Sequence, residues 1–474
     1  MASSRLEIDL GSIERNLGVI RRVVAPSEPT PGSSPSPKVG VCAVLKQDGY
    51  GAGAVRIAKR LIASGPGGST GVDMIAVYSL DEARAIAESI PTVNILILMP
   101  VLGIDRNDPL YRHAAQGRVH LTLHSLDQFN AIHDMAGRIG IQFPLHAQVD
   151  TGMSRGGATP ELAVRLVEKI LSAPRVRLAG LMTHFASPCC DERFTREQVK
   201  SFNAFIERIR PAVKAAVDLG GRPVARMGEL KIHAANSCAM FRGRSFHGTM
   251  VRVGQCLLGY VGADINEREA PAFEFRNQMD ELEPSVRWVS SIAHISEIPA
   301  GWPVGYGSTW RAPARADGRK SRVALIPVGY ADGLPRSLGG KHAGGPGWVG
   351  LTGRAYDRRT LEADTDAALD TVWAPIVGRV SMDQITVDVT DVPEPYLRPT
   401  GANGGSGGIG AEVEIYSREK GARNFLPLLA ETAGTITHDL LCRVSSRVER
   451  VYRSGAPAKP QIVVRTGIHA STTR

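Results

Sequence analysis

The chain has 474 residues, is 43% hydrophobic and 22% charged, and carries a formal net charge of +9. Such a composition belongs to a globular protein with a large buried core, and the length suits two domains better than one. The positive charge is scattered, with no dense Lys/Arg run among aromatics, and no apolar run reaches the ~20 residues that span a bilayer, so neither nucleic acid nor membrane is an expected partner.

The first predicted element is a strand, because Leu6, Ile8 and Leu10 alternate where a secretory signal would place an apolar core. A helix follows with Ile13, Leu17, Ile20 and Val24 on one face, and then a Pro/Ser-rich loop, APSEPTPGSSPSPK. From there short apolar runs alternate with amphipathic segments such as LDEARAIAESI. The runs are VGVCAVL ending at 45, MIAVYSL at 74–80, VNILILM at 93–99, VHLTLHS at 119–125, FPLHAQV at 143–149, RLAGLMTHF at 177–185, LKIHAAN at 230–236 and MVRVGQCLLG at 250–259. Eight β/α units in about 250 residues predict an α/β fold with a closed (β/α)8 TIM-type barrel. An open doubly wound sheet uses the same elements and is the alternative.

Past residue 283 the texture changes to β-branched runs between Gly/Pro turns: RVALIPVGYADG, WVGLTGRAY, APIVGRVSMDQITVDVTD and AEVEIYS. The expected division is a barrel over residues 1–282 and a mainly β domain over 283–474. Two Gly-rich segments, SLGGKHAGGPGWVG and TGANGGSGGIG, read as surface loops, and NFLPLLAETAGTITHDLLCRV as a late helical stretch before a loosely held tail. The six cysteines form no C-x-x-C pair, so a metal cage is not expected, and free thiols in the cytoplasm are.

Barrel enzymes work at the C-terminal ends of their strands. Here those ends carry Lys46, the segment Asp150 to Arg155, His184, Asn236 with Ser237, and Arg252 followed by Gly254. Singly each has a plain explanation: a strand-end lysine is usually solvated, and a lone histidine is usually a satisfied core residue. An arginine inside an apolar strand is harder to dismiss, since an unpaired buried guanidinium is costly. Together they suit a phosphate-bearing aldehyde. Lys46 can form a Schiff base with it, helped by desolvation of the amine. Tyr50, Ser237 and the backbone around Gly254 can donate to the phosphate, glycine allowing close approach. Arg252 can face a ring nitrogen, and because a guanidinium stays protonated it would leave that ring a weak electron sink.

The segments AVLKQDGYGAGA, DTGMSRGG, GLMTHFA, HAANS, MVRVG, GYGSTW, IPVGYADGLPR and VGRVSMDQ occur in the order found in alanine racemases. From about residue 7 to 452 the chain resembles that family of fold-type III pyridoxal-phosphate enzymes. The resemblance implies pyridoxal 5'-phosphate as cofactor, a small amino acid as substrate, a homodimer with shared active sites, and conversion of L-alanine to D-alanine for peptidoglycan. It implies that Lys46 holds the cofactor and acts as one base, with Tyr306 of GYGSTW as the second, supplied by the neighbouring subunit. Tyr50, Asn236, Ser237, Gly254 and the backbone of Gln255 match the cofactor cradle, Arg252 the partner of the pyridine nitrogen, and His184 the ring-contacting histidine. Arg155 and the backbone of Met382 match groups that hold the substrate carboxylate, and Tyr330 of GYADG an entrance tyrosine.

Two positions depart from the family. Gln148 stands where many members have a carbamylated lysine, and a neutral amide brace for Arg155, with or without an anion, is expected instead. His438 stands where a phosphate-contacting tyrosine is common; a phosphate donor and a helix-surface histidine are both open. A broader amino-acid racemase and a non-catalytic pyridoxal-phosphate homeostasis protein are the alternative functions. A barrel decarboxylase ranks lower, because Arg252 opposes the protonated pyridine which that chemistry favours.

Overall fold

The structure is a computed structural model that describes residues 4–26, 38–64, 71–217, 224–262, 273–340, 346–356, 363–397 and 408–454. Most of the Pro/Ser-rich loop, part of each Gly-rich segment and the tail after 454 lie outside the described residues.

Strand β1 is Ser4–Asp9. The eight apolar runs then supply β2 (Gly40–Val44), β3 (Met74–Val77), β4 (Ile95–Ile97), β5 (Val119–Leu123), β6 (Phe143–Gln148), β7 (Val176–Met182), β8 (Lys231–His233) and β9 (Met250–Val253). They form one parallel sheet in the order β8-β7-β6-β5-β4-β3-β2-β9. Its two ends meet: Thr249 N–H donates to the Ile232 carbonyl at 2.8 Å and Arg252 N–H to the Ala235 carbonyl at 2.9 Å, so the barrel is nearly closed.

Helices pack outside the sheet for reasons visible in the sequence. The helix Leu10–Val24 starts where Asp9 accepts from Gly11 and Ser12 N–H, and it buries Ile13, Leu17, Ile20 and Val24. Each such side chain contributes roughly 1.5–3 kcal/mol. Leu80–Ser89 begins with a capping box formed by Ser79 and Glu82. Pro160–Ser172 begins with Thr159 as cap and proline in its first turn. Among the described residues no helix is long and apolar enough to cross a membrane.

Residues paired across parallel strands share a face, so the register divides the barrel interior. One side is apolar, with Cys42, Val44, Met74, Ala76, Leu96 and Met250 in a cluster of their own. The other side is polar: His120 pairs with Leu96, His146 with Thr122 and Gly180, His233 with Met182, and Arg252 with Cys42. The barrel strands end before their apolar runs do, and at β7 and β9 this shapes the site. QCLLG is a 3-10 turn over Gln255–Leu258, and His184 lies two residues beyond β7, so the run ends fold back as site loops.

The second domain contains β10 (Val286–Ser291), β11 (His294–Ile298), β12 (Pro303–Val304), β13 (Trp310–Arg311), β14 (Ser321–Ile326), β15 (Trp348–Tyr356), β16 (Ala363–Pro375), β17 (Ile385–Asp388), β18 (Glu412–Tyr416) and β19 (Glu449–Arg453). Its large sheet has the order β16-β15-β18-β10-β1-β19, beside a three-stranded sheet β11-β14-β17 and the short hairpin β12-β13. The opening strand, expected within the barrel's 1–282, therefore belongs to this sheet, antiparallel to β10 and parallel to β19. Its Glu7 is buried among Arg5, Arg287 and Arg453. Trp288 and Tyr416 fill the core edge to face, 4.9 Å between centroids. The late helical stretch is two helices, Leu426–Thr432 and Thr437–Arg443, because Gly434 turns left-handed (φ 71°) between them.

Candidate active site

Lys46 lies just past β2, at the start of a turn whose backbone is left-handed at Gln47, Asp48, Gly49 and Tyr50. Three of these are not glycine, and each such residue costs about 1–2 kcal/mol. The surroundings hold the turn in place. The Glu82 carboxylate accepts from the N–H groups of Gln47, Tyr78 and Ser79. Asp48 accepts from Ala54 N–H and so caps the next helix. Strand β19 covers the turn: Arg450 donates to the Gly51 carbonyl at 3.1 Å, and a Cβ on Gly53 would fall 1.8 Å from the Tyr452 hydroxyl. Lys46 is half-buried, and burial, then the charge of Arg155, lower its pKa, which favours the free amine.

Tyr50 and the chain after β9 form a small cradle. Ser237 Oγ accepts from Gly254 N–H at 3.2 Å and Cys256 N–H at 3.4 Å. A Cβ on Gly254 would lie 2.0 Å from the Tyr50 hydroxyl, so glycine is required for that approach. Burial raises the Tyr50 phenol, which keeps it a donor. Gln255 opens the 3-10 turn beside these groups. His438 meets the Tyr50 ring edge-on at 6.5 Å, which places it on the cradle side. Asn236 is committed otherwise: its side-chain oxygen caps the helix Ser237–Arg242 by accepting from Ala239 N–H at 3.0 Å. Hydroxyls, backbone N–H groups and a gap that a Cβ would fill suit a phosphate group.

Arg252 is buried beneath the mouth. Nη1 donates to His233 Nδ1 at 3.0 Å and the His233 carbonyl at 2.6 Å. Nη2 donates to the Thr183 carbonyl at 2.8 Å and His184 Nδ1 at 3.2 Å. These bonds occupy the four terminal hydrogens and leave Nε–H uncommitted among the described residues. Desolvation pulls the guanidinium down to about 10, and it remains a cation at neutral pH. His184 is lowered to about 3 by burial and then by Arg252, so its ring is neutral, accepting at Nδ1 with its proton left on Nε2.

Asp150 shapes the substrate side. Its carboxylate accepts from Gly152, Met153 and Ser154 N–H. Burial works to raise its pKa, and the backbone bonds outweigh it and hold the carboxyl below the ordinary range. The loop so formed presents Arg155 to a small cleft shared with Gln148, Met153 and His184. Gln148 does not brace the guanidinium as expected. Its amide donates to the Gly156 carbonyl at 3.0 Å, and so supports the loop next to Arg155.

Tyr306, Tyr330 and Met382 form a second group on the β domain. Gly305 and Gly307, on either side of Tyr306, pack against Arg379. Tyr330 N–H donates to the Ser381 carbonyl and Ala331 N–H to that of Met382, which ties these loops together. Tyr306 is 71% exposed, and Met382 and Tyr330 are also exposed. Among the described residues, no hydrogen bond or ring contact of one chain joins this group to Lys46, Arg155 or His184.

Sequence reasoning missed His120, His146, His233 and Glu82. A signal existed for the histidines: VHLTLHS, FPLHAQV and LKIHAAN each put one at an inward strand position.

A family model for the N-terminal domain of alanine racemase matches residues 8–261, and one for its C-terminal domain matches residues 285–452. An alanine racemase from Halothermothrix orenii is 30% identical over 454 residues, covering 94% of this chain and 96% of that protein. The crystal structure of alanine racemase from D-cycloserine-producing Streptomyces lavendulae matches with a TM-score of 0.72 at 22% identity, covering 96% of this chain and 98% of that one. The alanine racemase of Bartonella henselae, solved with covalently bound pyridoxal phosphate, matches with a TM-score of 0.66 at 24% identity, covering 96% of this chain and 100% of that one.

Proposed function

The chain belongs to the alanine racemase family, and from that premise we propose that it interconverts L- and D-alanine with pyridoxal 5'-phosphate as cofactor. The donor set fits the group. Lys46 Nζ would be the covalent anchor; Tyr50, Ser237, the N–H groups at Gly254 and Gln255, and His438 would hold the phosphate. Arg252, whose Nε–H is uncommitted among the described residues, would face the ring nitrogen. Asn236 shapes the cradle as the cap of its helix. When bound, the cofactor withdraws electrons from the substrate's α-carbon and makes its proton acidic.

Racemisation moves a proton off one face and puts one on the other, so two bases serve it better than one. Lys46 Nζ handles the proton on its own face, and Tyr306 Oη, from a second copy of the chain, handles the opposite face. Arg155 and the backbone N–H of Met382 hold the carboxylate, and Tyr330 narrows the entrance around a methyl side chain. His184 positions Arg252. The product supplies D-alanine for peptidoglycan, in a homodimer working in the cytoplasm, which suits six free cysteines.

The observation that carries this reading is Arg252, a buried cation whose bonded partners among the described residues are all neutral. An acidic partner would favour a protonated, strongly electron-withdrawing pyridine, as a decarboxylase needs; a guanidinium would keep the ring a weak electron sink and favour simple return of the proton. The test is turnover of L- and D-alanine, serine, lysine and arginine by the purified holoenzyme. Fastest racemisation of alanine is expected, and preference for a basic substrate or no racemisation overturns the reading.

A further inference from the structure

Beneath Arg252, inside the barrel, lies a polar array that the reaction described above does not touch. His120 Nδ1 is 2.9 Å from His146 Nε2, and His146 Nδ1 is 2.8 Å from His233 Nε2. His233 Nδ1 is 3.0 Å from Arg252 Nη1. All three rings are buried. Gly180 on β7 makes room for the middle one, since a Cβ there would lie 2.3 Å from His146 Nδ1.

The direction of these bonds follows from one chemical fact: a guanidinium only donates. His233 Nδ1 must therefore be a lone pair, and the proton of this neutral ring sits on Nε2. That proton is donated to His146 Nδ1, which places the His146 proton on Nε2 in turn and directs it to His120 Nδ1. Burial first, then neighbouring cations, keeps the rings neutral; Arg177, Lys231 and Arg252 are the charged groups that face them, and no acid is among these. Three imidazoles thus share one tautomer, each with its lone pair turned towards Arg252.

We infer that His120, His146 and His233 are a positioning relay that holds the proton on Arg252 and so keeps it from passing to the cofactor's ring nitrogen. A buried cation with no carboxylate beside it is stabilised only by oriented dipoles, and the aligned rings supply them together with the carbonyls of Thr183 and His233. Without the relay the guanidinium becomes a stronger acid. A proton lost by Arg252 would then be available to the ring nitrogen, and a protonated ring would withdraw electrons more strongly and favour transamination over racemisation. The relay's effect on reaction choice rests on the racemase reading; its tautomers do not.

The test has two arms. In wild-type holoenzyme carrying ring-15N histidine, with assignment by His120→Phe, His146→Gln and His233→Gln, all three rings should be neutral Nε2–H tautomers from pH 6 to 9. An Nδ1–H or cationic ring at His146 or His233 overturns the relay. In the second arm, His146→Gln and His120→Phe are incubated with alanine, cofactor retention is confirmed by absorbance, and abortive transamination per racemisation turnover is measured. A rise of about tenfold, the equivalent of one pKa unit at Arg252, is expected. An unchanged ratio in variants that keep their cofactor overturns the relay's effect on reaction choice. Failure of wild type to racemise alanine would sink the proposed function and leave the first arm to decide the array.

Discussion

Arg252 and Gly254 show how single residues decide the site. Arg252 uses a planar fork to reach two histidines and two carbonyls at once, which an ammonium group cannot copy. Arg252→Lys should lower alanine turnover by roughly 100-fold, the usual cost of a misplaced donor at a reacting centre, with a smaller change in KM; steady-state kinetics check this. Gly254→Ala puts a methyl group where the Tyr50 hydroxyl sits. Losing that donor to a charged phosphate costs about 1.5–3 kcal/mol, so cofactor affinity should fall about 10- to 100-fold by titration of the apoenzyme. Lys46, Tyr50, Arg252 and Gly254 were legible in the sequence because each is an odd residue type at a strand end or in a motif. His120, His146 and His233 were not, because an isolated histidine in an apolar strand looks like any other, and only strand register shows three of them touching. Gln148 was read at the right place but meets the Gly156 carbonyl rather than Arg155, and the capping role of Asn236 was not read, since an amide does not announce which backbone group it will meet.

Among the elements, the left-handed turn after Lys46 is the least self-sufficient. Its backbone strain is offset from outside, chiefly by the Glu82 carboxylate, which also begins the helix Leu80–Ser89. Glu82→Ala should cost about 1–2 kcal/mol of stability, the loss of a helix cap together with a charge-assisted bond, read as a lower denaturant midpoint at constant m. The barrel strands were legible from apolar runs of fitting length, and eight of them left few architectures open. The ends of those runs were not, because QCLLG and THF are apolar for packing above the barrel rather than for pairing in it. The opening strand was visible as a strand, but its alternation carries no information about its neighbours β10 and β19.

At the scale of the whole molecule, the exposure of Tyr306, Trp302 and Met382 leaves large side chains without cover in one chain. If Tyr306 acts in a second copy's site, dilution below the dimer dissociation constant should abolish racemisation in step with dissociation, as sedimentation and activity measured on one sample would show. Acid should also destabilise the protein early. Burial is the foremost cause that lowers His113, His120, His124, His146, His184, His233 and His247 below the ordinary 6.5. Below pH 6.5 the unfolded chain therefore binds protons that the folded chain refuses, and stability present above that pH is lost as pH falls. Each such group contributes up to about 1.4 kcal/mol per pH unit, and for His120 and His184 the loss continues towards pH 3. Thermal midpoints should fall steadily from pH 7.5 to 5.5; a flat profile would contradict the burial of these rings as neutral groups.

Strand β1 has a consequence in time. It is made well before both of its flanking partners, β10 and β19. Arg5 pairs with Glu449, so at ordinary synthesis rates of about 5–20 residues per second the two are made roughly 20–90 s apart. The barrel strands are complete long before that. Until β10 is made the nascent chain therefore carries β1 unpaired, with Leu6 and Ile8 bare, and β19 covers its other edge only later.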